Sequence, residues 1–205
     1  MNAQKLFNLQ PEQELFDGGN YCVKMHELRG KGLTPWSTHH FMDVRKVVSS
    51  AHPLWNNYLN TDFGIAGTKE KIYLAPHSAR LRSVESDTIL TNYGLALEVS
   101  DSDTMQIYNR RDLILNLDLS EEEARSSPVW LSFADNNQAR LDQYVEKTFR
   151  FGRDKFHYET MMGIFVSAEE KPIERAVVLD SIGSGCLVGG NNLNVNARLV
   201  GEKKL

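Results

Sequence analysis

The chain has 205 residues, a formal charge of −4 and a pI of about 5.9. With 41% hydrophobic and 24% charged residues it can bury a substantial core, which excludes intrinsic disorder and fibrous classes. The acidic balance argues against a protein dedicated to gripping nucleic acid, and no apolar run reaches the roughly 18 residues of a membrane span.

The opening segment MNAQKLFNLQPEQELFDGG lacks an apolar stretch behind a basic start, so it does not read as a secretory signal. The two cysteines, Cys22 and Cys186, are far apart and match no metal or redox spacing. Both read as buried, inert thiols, and the chain as cytoplasmic and reduced.

Strand signals come first. Asn20 to Leu28 alternates Cys22, Lys24, His26 and Leu28 against Tyr21, Val23, Met25 and Glu27, which predicts a half-buried strand. After RGKG the period becomes helical. Ser37 or Thr38 caps a helix whose stripe holds Phe41, Val44, Val48 and Ala51, and Pro53 closes or bends it. From Lys71 to Leu119 the strands KIYLA, TILTNYGLALEVS, TMQIYN and RRDLILNLDL are predicted. Ser120 and Glu123 then form a capping box, with Glu121 and Glu122 supplying negative charge to the first turn. Pro128 suits the first position of a second helix through VWLSFADNNQARLDQYVEKTF. In the last third, GIFVSA and IERAVVLD predict one hairpin about EEKP, and CLV and LNVNARLV a second about GGNN.

Four stretches have the residue types for a site. In KTFRFGRDKFHYE, Phe149 and Phe151 on one strand face, with Arg150, Arg153 and Lys155 beside them, would stack bases and neutralise phosphates. The same residues equally suit a core whose rim is covered by cationic side chains, and packing is the answer the sequence favours. SIGSGCLVGG lacks the Lys-Ser/Thr of a phosphate loop and reads as a glycine-permitted turn, with Cys186 a small core residue in a short strand.

THHFMD places His39 and Asp43 four apart on one helix face, with His40 beside them. His77, with Arg80 and Arg82 in APHSARLR, would complete a constellation for phosphodiester chemistry, histidines moving protons and arginines holding phosphate. It requires His39, His40, Asp43 and His77 to meet in space; otherwise His39 and Asp43 are a solvated pair. A zinc site needs a third protein ligand, and no spacing in the sequence supplies one, so no metal and no cofactor are expected.

The sequence therefore reads as one α+β domain over residues 1–205, with antiparallel sheets ending in a C-terminal β-meander and packed by two or three helices. Its function reads as a soluble, non-catalytic binding or assembly module that acts through self-association, as a homo-oligomer, or through a protein partner. The alternative is a phosphate-ester or RNA-processing enzyme built on the helix-borne histidine.

Overall fold

A computed structural model describes Gln10, residues 13–97 and residues 105–203. Strand β1 (Gln13–Asn20) runs directly into helix α1 (Tyr21–Gly30), where the sequence predicted a strand. The Asn20 side chain accepts from the Val23 amide and so caps the helix. Tyr21, Cys22, Met25 and Leu28 are all buried, a spacing of three and four that suits a helix as well as the alternation suited a strand.

The helix predicted after RGKG is present as α2 (Thr38–Val47), capped by Ser37. It ends before Pro53, which opens a separate 3₁₀ turn over Pro53–Trp55. Its buried positions are Thr38, Phe41, Met42 and Arg45; of the predicted stripe, Phe41 is buried, Val44 and Val48 pack half-buried against the main core, and Ala51 lies exposed beyond the helix.

Two sheets carry the strands. The smaller is ordered β1–β10–β2, with β2 at Thr34–Pro35 and β10 at Asn196–Glu202, all antiparallel. The larger contains β3 (Leu59–Gly67), β4 (Lys71–Ala75), β6 (Gln106–Asn109), β7 (Ile164–Phe165), β8 (Ile173–Leu179) and β9 (Val188–Asn191). Its order is β6–β4–β3–β8–β9–β7, and the two-residue β5 (Leu95–Ala96) pairs with β8. Every residue of β3 is buried, including Asn60, Thr61 and Asp62, because the strand is central and covered on both faces.

The α+β class with antiparallel sheets is as the sequence reads, but several pairings differ. GIFVSA does not turn back on IERAVVLD: β7 lies parallel to β9, with Ile164 opposite Val188. The GGNN stretch is no hairpin turn, since Gly189 to Asn191 belong to β9, which pairs with β8, while β10 joins the other sheet. RRDLILNLDL is a 3₁₀ turn over Arg110–Asp112 followed by irregular chain that leaves Ile114 and Leu117 exposed. Of TILTNYGLALEVS only β5 is a strand, and Glu98 to Ser100, like Thr104 of TMQIYN, lie outside the described residues.

Short helices α3 (Ala79–Ser83), α4 (Glu121–Ser126) and α5 (Pro128–Phe133) precede the long α6 (Gln138–Phe156). The capping box at Ser120 and the helix start at Pro128 are as predicted. A break at residues 134–137 separates α5 from α6.

Along α6, Leu141, Tyr144, Val145, Thr148, Phe149 and Gly152 are buried at helical spacing. They pack with Trp55, Trp130 and the larger sheet into the main core. A second core of Phe16, Tyr21, Met25, Leu28 and Leu199 joins α1 to the smaller sheet. Fully burying one such side chain contributes about 1.5–3 kcal/mol, so the aromatics of both clusters dominate the stability.

Candidate functional site

The N-terminal turn of α2 faces the turn that follows β4, and two of the candidate histidines meet there. Ser37 Oγ caps the helix and lies 3.0 Å from His39 Nδ1. The rings of His39 and His77 stand edge to face, with centroids 5.4 Å apart. His77 has a left-handed backbone (φ 52°), unusual for a residue with a side chain.

The turn is fixed from beneath by β3, because the Ser78 amide donates to the Asp62 carbonyl at 2.9 Å. Asp62 is fully buried, and its Oδ2 lies 3.2 Å from His77 Nδ1. Arg82 Nε donates to that same oxygen at 2.7 Å, and its Nη2 donates there too. The hydrogen bond to Asp62 raises the pKa of His77, whereas burial lowers that of His39.

Other members of the predicted constellation point elsewhere. His40 stacks on Trp36 at 4.6 Å and places Nε2 3.5 Å from Glu202, which also accepts from Trp36 Nε1 at 3.1 Å. Asp43 does not pair with His39: Arg140 Nε approaches it at 3.1 Å and Lys46 Nζ at 2.8 Å. Arg80 donates to the Ala96 carbonyl and lies 3.7 Å from Glu174. His39, His77 and Arg82 are thus gathered, His40 shares a cleft with His77 and Arg82 without bonding to either, and Asp43 and Arg80 are bound elsewhere.

Beside this group is a cleft of about 440 Å³ lined by Trp36, His40, His77, Arg82, Glu202 and Lys203 among others. The turn after α5 approaches from the far side. A nitrogen of His39, a nitrogen of His77 and a carboxylate oxygen of Asp135 all lie within 4.8 Å of one another. Sequence reasoning missed both Asp62 and Asp135. For Asp62 the signal was a carboxylate inside the otherwise neutral run LNTDFGIAG, whereas Asp135, in a polar turn, left none.

The basic-aromatic stretch belongs to the last turns of α6, not to a strand. Phe149 and Phe151 are buried, as the packing reading expects. Arg150 lies 3.9 Å from Glu146, Arg153 donates to Glu121 at 2.8 Å, and Lys155 lies over the Phe151 and Phe156 rings. Cys186 is buried at the turn before β9, with its thiol pKa raised to about 11 by burial, and Cys22 is buried as well.

No protein family and no curated protein matches the sequence. One solved structure does match the fold, described as "Accommodation of massive sequence variation in Nanoarchaeota by the C-type lectin fold". It superposes with a TM-score of 0.73 over 93% of this chain and 97% of that chain, at 15% identity. The chain thus has an α+β fold like that of a C-type lectin-fold protein. Among the described residues no helix is long and apolar enough to cross a membrane.

Proposed function

We propose that this protein is a non-catalytic binding module that docks protein, a second copy of itself first of all. The observation that carries this reading is an exposed apolar strip beside β7. Ile114, Leu117 and Phe165 are 45%, 64% and 39% exposed. Their segments are tied together, since the Asn116 amide donates to the Ile164 carbonyl at 2.7 Å and its side chain accepts from the Val166 amide at 3.1 Å. Large side chains held in water on a fixed backbone are what an interface core needs. The fold likeness supports the same reading, because the related structure is described as accommodating massive sequence variation, the property of a framework whose surface does the recognising. Two buried thiols suit a reducing, cytoplasmic setting.

Sedimentation velocity tests it. The wild type is expected to run as a dimer or larger at tens of micromolar, and Leu117→Glu, an exposed position, as a monomer with an unchanged circular dichroism spectrum. A monomeric wild type at every concentration would overturn the self-association.

The phosphodiester reading is favoured by one observation, the meeting of His39, His77 and Arg82. Against it, Arg82 already binds a buried carboxylate. Turnover of a phosphodiester probe that His77→Asn abolishes would move the function to that reading.

A further inference from the structure

We propose that His39, His77 and Asp135 bind a divalent transition-metal ion of the zinc type, which joins the start of α2, the turn after β4 and the turn after α5. The three residues are far apart in sequence and come from separate elements, yet their ligand atoms converge within 4.8 Å. Two imidazole nitrogens and one carboxylate oxygen are the donor set of an open zinc site. Three protein ligands hold the ion there and a fourth position takes water or a group of a bound molecule. The nitrogen-rich set selects against calcium and magnesium, which take oxygen ligands.

The supporting contacts are those such a site needs. A ligating histidine usually gives its other ring N–H to a carboxylate, which fixes the ring and strengthens it as a donor. Asp62 Oδ2 lies 3.2 Å from His77 Nδ1 and Arg82 Nη2 3.0 Å from it; with the Nδ1 proton given to Asp62, Nε2 is left for the ion. It is fully buried and clamped by Arg82, and its Oδ1 has no hydrogen-bond partner among the described residues. Ser37 Oγ lies 3.0 Å from His39 Nδ1 and 3.1 Å from its Nε2, and so restrains the ring at the start of α2.

Ligands about 2.0–2.1 Å from a tetrahedral ion stand roughly 3.3 Å apart, so the observed spread closes with shifts of roughly an ångström. His77 and Asp135 are exposed, so their side chains have room to make them. The nearest cations are already countered, Arg82 by Asp62 and Arg140 by Asp43. His77 also lines the cleft that holds Trp36, so the fourth position of the ion borders a space of about 440 Å³.

Protein stripped with a chelator and titrated with Zn²⁺ in a calorimeter should bind one ion per chain and melt at a higher temperature when loaded. Cobalt(II) in its place should give the visible absorption of a four-coordinate nitrogen–oxygen site. His77→Asn and Asp135→Asn keep residues that tolerate the left-handed backbone, so both should fold. Each, like His39→Gln, should lower the affinity by about 100-fold, and Asp62→Asn by about 10-fold. His40→Asn should bind as wild type does. Lack of stoichiometric binding by the folded wild type overturns the proposal. So does binding that survives His39→Gln and Asp135→Asn.

Discussion

Arg45 is a long cationic side chain sealed in the main core, and its partners are neutral. Its guanidinium donates to the carbonyls of Leu54 (3.0 Å), Asn57 (3.2 Å) and Asp180 (2.8 Å) and to the Tyr144 hydroxyl (3.1 Å). It also lies over the Phe41 and Trp55 rings at 4.2 and 5.2 Å. Burial pushes the Tyr144 phenol up to about 12 and the Cys186 thiol to about 11, so neither is ionised to balance the charge. Carbonyl dipoles and ring faces therefore replace its water. Arg45→Met keeps much of the volume but orphans the carbonyls, and chemical denaturation should show a loss of about 3 kcal/mol or more.

Glu121 is the opposite case, a carboxylate at the surface held by Arg153 and Arg125. Those hydrogen bonds lower its pKa. A depressed carboxylate stabilises the fold fully above its ordinary value, and that contribution is lost as pH falls through the lowered value. Glu121→Gln should thus reduce the urea midpoint at about pH 7, and the difference from wild type should shrink as pH falls through the lowered value.

At the scale of elements, the parallel pair β7–β9 depends on the absence of one side chain. A Cβ on Gly189 would meet the Phe165 carbonyl oxygen at 2.7 Å, and backbone cannot swing aside. Gly189→Ala should destabilise by about 1–3 kcal/mol and alter amide exchange in β7 first, which hydrogen-exchange mass spectrometry would register.

This pairing also marks where the sequence stops being readable. The caps were legible, Ser37, Ser120 and Pro128 each opening a helix where side-chain chemistry demands one. Helix α1 was not, because its apolar residues fit two periods at once and only the Asn20 cap separates them. Leu113 to Leu119 alternates like a strand, yet its backbone contacts with the neighbouring chain are isolated, Asn116 to Ile164 of β7 and Leu119 with Met161, and alternation alone does not make a ladder of them. Of the site, the sequence showed the residue types at His39 and His77. Their meeting, and the choice of Asp135 over Asp43, depend on where β3 places Asp62 and where the chain breaks between α5 and α6.

At the scale of the molecule, the buried side chains form two cores. The main one is closed by α2, α5 and α6, the second by α1 and the smaller sheet. The apolar strip at Ile114, Leu117 and Phe165 lies outside both. A stable interface buries on the order of 1,200 Å² or more, so these side chains would form its centre and not its whole. The acidic net charge of −4 leaves the long-range field weakly repulsive between copies, and raising the salt should therefore strengthen association rather than weaken it.

The smaller sheet sets an order on events. Its middle strand, β10, pairs with β1 on one side and β2 on the other, and the contact of Gln13 with Glu202 spans 189 positions. During synthesis the first strand leaves the ribosome long before its partner exists. Phe16 must wait for Leu199, and α1 for the sheet that covers it. The main core has most of its strands and helices in hand well before then, so the protein should mature from the inside toward this late closure. A nascent chain stalled before Asn196 would expose the uncovered face of α1, the surface on which a chaperone or a protease would recognise it as unfinished.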